Sequence, residues 1–322
     1  MGRKRSTELE EAELRAVVER LRAGERRATA RVVTEFERHS AAMPRLLALL
    51  RPHLGHALVV GFTGPPGTGK STLLNAYTRQ VRSEGCTVGI IAVDPSSPIS
   101  GGAILGDRIR MTATLDDDGV FMRSLASRGH LGGLCPAAVR IIDALDGAGK
   151  DLVLIATVGT GQSEIDIAEI ADVRVLVTAP GLGDDIQAMK AGLLEVTDIV
   201  VVNKADREGA DRAAQQFASA LANRPKHRAG GPVLKTTALT GEGVGELART
   251  ISELGRARSG EGAERRRRRA RYLIARAAAE QLAAKVKAGS GSELEKLSEA
   301  VLSGALSPDE AARRLLTTSP VA

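Results

Sequence analysis

Residues 58–74, LVVGFTGPPGTGKSTLL, constrain this chain more than any other stretch. An apolar run, read over 57–62, leads into Gly64-Pro65-Pro66-Gly67-Thr68-Gly69, then Lys70, Ser71 and Thr72, and a helical pattern follows from Ser71 to Val81. Two glycines four residues apart before Lys-Ser form the phosphate-binding loop pattern. The chemistry requires these types. Glycines at 64, 67 and 69 let the backbone curl so that successive N–H groups point inward at phosphate oxygens. Lys70 reaches the terminal phosphates as a point charge, and the Ser71 hydroxyl is a magnesium ligand. A strand before the loop and a helix after it place the phosphates at a helix N-terminus, where the dipole favours anions. Residues 64–72 are therefore read as nucleotide-binding.

From residue 57 onward, short apolar runs alternate with helical patterns; the runs are 57–62, 87–93, 152–156, 173–179, 198–202 and 232–237. Runs apolar on both faces argue for an α/β fold, a mostly parallel sheet covered by helices, with ligands at the carboxyl ends of the strands. Aromatic residues are only 2% of the chain against 43% hydrophobic, so the core is expected to be built from Leu, Val, Ile and Ala.

The remaining motifs fall at strand ends. Asp94 opens a Gly/Ser/Pro-rich segment that reaches Asp107, and two carboxylates beside a phosphate site suit a switch segment with magnesium ligands. After the 152–156 run, ATVGTGQSE (156–164) keeps the glycine that senses a terminal phosphate but lacks the acid a GTPase usually carries before it. Gln162 there either orients an attacking water or caps the next helix. Paired carboxylates and glycines recur over 179–190, with Gly183, Asp184, Gln187 and Lys190 marking a second nucleotide-side or partner-side segment.

The 198–202 run ends in Asn203-Lys204-Ala205-Asp206. A carboxylate at 206 accepts hydrogen bonds from the ring N–H and amine of guanine. Adenine presents a lone pair there, and leaving buried polar groups unpaired costs about 1–3 kcal/mol, so GTP/GDP is preferred over adenine nucleotides. The stem of Lys204 lies against the base and Asn203 ties loops together. Thr237-Ala238-Leu239 is expected to lend a backbone N–H to the guanine oxygen.

The ends read as helical. Residues 1–54 form an N-terminal helical segment, with a capping box at Thr7 and Glu10 and a second helix over 25–50; 55–256 form the nucleotide domain; 257–322 form a C-terminal helical arm. Within the arm, 256–264 has linker composition, and the arginines at 265–269 are expected on a solvated or partner-facing helix. The net charge of +6 and this run leave a nucleic-acid partner as an alternative. Two cysteines without metal-ligand spacing, and no apolar run of membrane length, point to a reducing cytosol.

Taken together, DPSSPISGGAILGDRIRM (94–111), HLGG (130–133), TVGTGQSE, APGLGDDIQAMKAG (179–192) and NKAD resemble, in order, the MeaB/ArgK/MMAA family over residues 55–240. That resemblance implies a homodimeric GTPase acting as chaperone to an adenosylcobalamin-dependent acyl-CoA mutase such as methylmalonyl-CoA mutase, gating cofactor loading and protection or reactivation. By position it implies that Lys70 and Ser71 serve the phosphates and magnesium and that Asp94 and Asp107 are switch carboxylates around magnesium; with Gln162, as read above, Lys70, Asp94 and Asp107 are the catalytic candidates. The 179–192 segment becomes a switch responding to the mutase, and the tail beyond 257 a dimerisation arm. One departure stands out. The family usually carries Glu where this chain has Ala156, so slow hydrolysis is expected with GTP binding intact. Competing readings are a nickel metallochaperone, which wants a His- or Cys-rich segment, and an amino-acid-transport ATPase or kinase, which Asp206 opposes.

Overall fold

The computed structural model describes residues 2–94, 116–126, 136–157, 166–167, 169–181, 191–222, 231–287 and 292–318. Seven parallel strands form one sheet: β1 (Leu58–Thr63), β2 (Val88–Asp94), β3 (Val120–Ala126), β4 (Leu152–Thr157), β5 (Val173–Thr178), β6 (Ile199–Asn203) and β7 (Val233–Thr236), in the order β3-β2-β4-β1-β5-β6-β7. The strand order reverses about β1: β4 lies on one side of it, with Phe62 opposite Ala156, and β5 on the other, with Thr63 opposite Leu176. A crevice opens at such a switch point, and here it is where the glycine loop leaves β1.

Central strands bury both faces. Val60, Phe62, Leu154, Val175 and Val201 face α4 (Lys70–Ser83) and the later helix Val244–Ala257, which share one apolar cluster. Leu176, Val200 and Val202 face the opposite way, against Phe217 and Leu221 of the helix Ala210–Ala222. Before the sheet come α1 (Gly2–Arg22), α2 (Arg26–Arg38) and α3 (Met43–Leu50); α5 (Pro136–Gly147) packs against α2 and α3. Leu21, Val32, Val33, Phe36 and Leu50 are fully buried, and Glu37 of α2 ion-pairs with Arg123 of β3. The remaining helices are α6 (Ala191–Val196), α7 (Ala210–Ala222), α8 (Val244–Ala257), α9 (Gly262–Lys287), α10 (Ser292–Leu302) and α11 (Pro308–Thr318).

Several expectations are corrected. The seventh strand, β3, belongs to no run in the sequence reading. The helix expected over 25–50 is two helices, because His39 takes a left-handed conformation (φ 51°) and closes α2 with its N–H on the Glu35 and Phe36 carbonyls. The Thr7–Glu10 box lies inside α1 and does not start it. Residues 256–264 are not an open linker: α8 runs into them, a 3-10 turn occupies Ser259–Glu261, and α9 starts at Gly262. The start of α11 is as read, with Ser307 Oγ accepting the Glu310 N–H at 3.2 Å.

The amino edge of the sheet is built by aspartates placed just before strands. There the outermost N–H groups lack a strand partner, and a carboxylate satisfies them with a charge-assisted bond. Asp151 takes the Thr87 N–H at 2.7 Å, Asp172 the Val59 N–H and Asp198 the Arg174 N–H, each at 2.9 Å. Asp146, at the end of α5, takes the N–H groups of Gly55, His56 and Ala57. The chain divides into two compact units, Met1–Arg269 and Ala270–Ala322.

Candidate functional site

The loop between β1 and α4 has the shape its glycines were expected to give. Gly64 takes φ 139°, and a Cβ there would run into the Val177 carbonyl oxygen of β5. Gly69 takes φ 86°, and a Cβ there would come within 2.5 Å of Asn203 Nδ2. Both positions need glycine for conformation and for close approach. Thr68 is fully buried and donates to the Pro65 carbonyl at 3.0 Å, while Pro66 and Gly67 are exposed at the rim. Lys70, the first residue of α4, turns its ammonium back into the loop, onto the carbonyls of Gly64 (2.6 Å) and Pro65 (2.8 Å). Ser71 and Thr72 follow in the same first turn, half-buried. The arrangement gathers a glycine-built loop, a helix N-terminus and the Lys70 ammonium, which is the equipment for a polyphosphate.

A second loop stands against the first. Asn203, the last residue of β6, is buried and donates its Nδ2 to the Thr68 carbonyl at 2.8 Å. Its Oδ1 accepts from Thr236 Oγ1 at 3.1 Å and from the Ala238 N–H at 3.2 Å. One side-chain amide thus joins the phosphate loop, β6 and the 237–239 turn. Lys204 holds a left-handed backbone (φ 57°) and puts its Nζ on the Gly67 carbonyl at 2.6 Å, so its stem runs beside the loop. Asp206 is exposed beyond it. Of the three turn residues, Thr237 gives its N–H to Glu242 and Ala238 to Asn203, which leaves the N–H of Leu239 without a partner among the described residues. The Leu239 side chain is 83% exposed beside this turn.

Ala156 is the penultimate residue of β4, in register with Phe62 and Ala92, and its methyl lies in the apolar cluster under α4. Asp94 closes β2. Asp107, Gln162, Gly183, Asp184, Gln187 and Lys190 lie outside the described residues, as does the side chain of Asp94. Sequence reasoning missed a set of hydroxyls: Thr63, Thr157 and Thr178, the last residues of the three central strands β1, β4 and β5, are buried with no hydrogen-bond partner among the described residues. The signal was a threonine at or beside the end of each apolar run. These orphaned oxygens, with Ser71 on α4, make the described lining of this edge an oxygen-donor environment of the kind that suits a hard cation such as magnesium.

The arginine run is the other correction. Arg265 and Arg269 are buried, not solvated, and meet Asp172 at 3.1 and 2.9 Å; Arg268 lies 3.6 Å from the same carboxylate. Arg258 joins them, donating to the Asp172 carbonyl and to Asp198. Burial works to raise the Asp198 carboxyl, but hydrogen bonds from Arg174 and Arg258 outweigh it and hold the group below the usual carboxylate range. Arg265, Arg268 and Arg269 are spent on the protein's own sheet edge, while Arg267 stays exposed.

Comparison with known proteins decides the family. The family described as "Methylmalonyl Co-A mutase-associated GTPase MeaB" matches residues 26–291. This chain belongs to the MeaB family of GTPases. A protein of Pyrococcus horikoshii bearing a GTPase name is 47% identical over 306 residues, covering 93% of this chain and 96% of that protein. The GTPase ArgK of Escherichia coli is 40% identical over 252 residues, 76% of each chain. The mouse mitochondrial methylmalonic aciduria type A homolog is 35% identical over 272 residues, 80% of this chain and 64% of that protein. Among solved structures, a LAO/AO transport system kinase matches with a TM-score of 0.74 and 28% identity, covering 95% of this chain and 97% of that one. The MeaB fold is thus shared along nearly the whole chain. Among the described residues, no helix is long and apolar enough to cross a membrane.

Proposed function

We propose that this MeaB-family GTPase is a guanine-nucleotide-dependent chaperone for an adenosylcobalamin-dependent acyl-CoA mutase, methylmalonyl-CoA mutase or a relative. The observation that carries the nucleotide half is Asn203, whose amide couples the phosphate loop to the 237–239 turn, so that phosphates and base are read by one connected surface. In this reading residues 64–72 cradle the phosphates, Lys70 neutralises them, Asp206 reads the base edge and the Leu239 N–H takes the guanine oxygen, its side chain covering the ring. Ser71 with Asp94 and Asp107 would hold magnesium, which, when bound, supplies charge to the phosphate oxygens. Gln162 orients the attacking water, and Gly183, Asp184, Gln187 and Lys190 answer to the partner.

The partner half is supported by the family description and by the name of the mouse relative. The unit 270–322 supports a homodimer arm: its helices form an open apolar groove of about 430 Å³ lined by residues such as Leu282, Leu294, Val301 and Leu315. The transport-kinase name of the solved relative does not carry over, because the Asn203–Asp206 loop is built for guanine. In gel filtration with a purified adenosylcobalamin-dependent acyl-CoA mutase, the protein is expected to co-elute, with the complex differing between GTP-analogue and GDP states. Separate elution in every nucleotide state overturns the partner assignment.

A further inference from the structure

Thr236, the last residue of β7, is fully buried, and a hydroxyl taken out of water costs free energy unless it is hydrogen-bonded. This one donates to Asn203 Oδ1 at 3.1 Å. The neighbouring Thr237 makes the contrast: it is buried too, and its hydroxyl has no partner among the described residues. The register of β6 and β7 sets Thr236 beside Asn203. The Thr236 carbonyl also accepts the Ala205 N–H at 3.0 Å. One residue therefore holds the Asn203–Asp206 loop at two points, by its side chain at Asn203 and by its backbone at Ala205.

An amide side chain has a donor end and an acceptor end, so what it can hold depends on which way it faces. In Asn203, Nδ2 faces the Thr68 carbonyl at 2.8 Å, while Oδ1 takes two donors, the Ala238 N–H and the Thr236 hydroxyl. Turned over, the amide would set its oxygen against the Thr68 carbonyl and its NH2 group against the Ala238 N–H, two mismatched contacts in a buried place. The seat is also tight, because a Cβ on Gly69 would lie 2.5 Å from Nδ2. The Ala238 donor is backbone and belongs to the turn that Asn203 holds. The Thr236 hydroxyl is the donor that a side chain supplies.

We propose that Thr236 is a positioning residue for guanine-nucleotide binding: its hydroxyl orients the Asn203 amide, and through that amide it sets the phosphate loop against the base-side turn. This rests on the reading of residues 64–72 and the Asn203–Asp206 loop as one nucleotide site. Because Thr236 acts through Asn203, on the link between the two loops, its effect falls on affinity and is shared by GDP and GTP.

The experiment is equilibrium binding of GDP, ADP and a non-hydrolysable GTP analogue to the full chain, Thr236→Val, Thr236→Ser, Asn203→Ala and the Thr236→Val/Asn203→Ala double variant. Valine keeps the shape of the side chain and removes the hydroxyl; serine keeps the hydroxyl. Thr236→Val is expected to weaken GDP and the GTP analogue alike by about tenfold, the upper end for one buried hydrogen bond. Thr236→Ser is expected to stay within about threefold of the parent. In the Asn203→Ala background, itself weakened, Thr236→Val is expected to have no further effect, because the group it orients is gone. Parent-like affinity in Thr236→Val overturns the proposal, as does a loss that serine does not repair or one that adds in full to that of Asn203→Ala. If the parent binds ADP as tightly as GDP, the guanine reading fails, while a Thr236→Val loss that serine repairs and that vanishes in the Asn203→Ala background still upholds the positioning role.

Discussion

Asp172→Ala is expected to destabilise the protein by about 3–5 kcal/mol, the cost of removing one partner from a buried ion pair. The carboxylate is fully buried (0% exposed), and two nearly buried guanidinium groups, Arg265 and Arg269, lean on it together with the Val59 N–H. Truncation strands both cations and a backbone donor away from water. Equilibrium urea unfolding followed by circular dichroism measures the loss. Arg267→Ala is the internal control. Arg267 belongs to the same run, but it is 70% exposed and, among the described residues, pairs with Glu264 three residues away, so its removal is expected to change stability by no more than about 0.5 kcal/mol. A loss under about 1 kcal/mol for Asp172→Ala would show that the arginines are hydrated in solution and that the run is the solvated surface its composition suggests.

Ala156→Glu is expected to raise GTP turnover by about 100-fold, the low end of what a correctly placed general acid or base contributes. Position 156 sits one residue from the end of β4, beside Phe62 of β1 and on the sheet face covered by α4, whose first residues are Lys70 and Ser71. Alanine completes an apolar surface there and has nothing with which to engage a phosphate, a cation or a water. A glutamate from the same backbone position reaches along the α4 face toward the loop, where the resemblance set out above implies an acid. GTP affinity is expected to stay within a few-fold, because the loop, Asn203 and Asp206 are untouched. The substitution also carries a cost of about 1–3 kcal/mol in the nucleotide-free protein, from burying a carboxyl among Phe62, Leu73 and their neighbours. Equal turnover in the two proteins, measured by phosphate release, would show that Ala156 is no brake.

The central sheet and the phosphate loop were legible because each is over-determined. β1, β4 and β6 are buried on both faces, and continuous Val/Ile/Leu runs leave little room for another structure; their observed ends fall within a residue or so of the runs. Glycine at 64 and 69 is demanded by conformation and by contact, so the motif carries its own geometry. β3 was missed because it is an edge strand. Arg123 and Ser124 interrupt its apolar run, and Arg123 finds its partner in Glu37, far off in the chain. The break at His39 was illegible for a similar reason: a left-handed histidine has no sequence signature comparable to glycine. The arginine run misled because burying a guanidinium depends on a carboxylate 97 positions away, and nothing in the local spacing of 265–269 reveals it. An aspartate before strand after strand was the available hint, visible only once the strands were placed.

The measurement that tests the account most directly is steady-state GTP turnover by the full chain, with and without a purified adenosylcobalamin-dependent acyl-CoA mutase, and with ATP in place of GTP as the control. Selective turnover of GTP, slow alone and accelerated severalfold by the mutase, is the expected result. Turnover that no such mutase changes, or equal use of ATP, would contradict it.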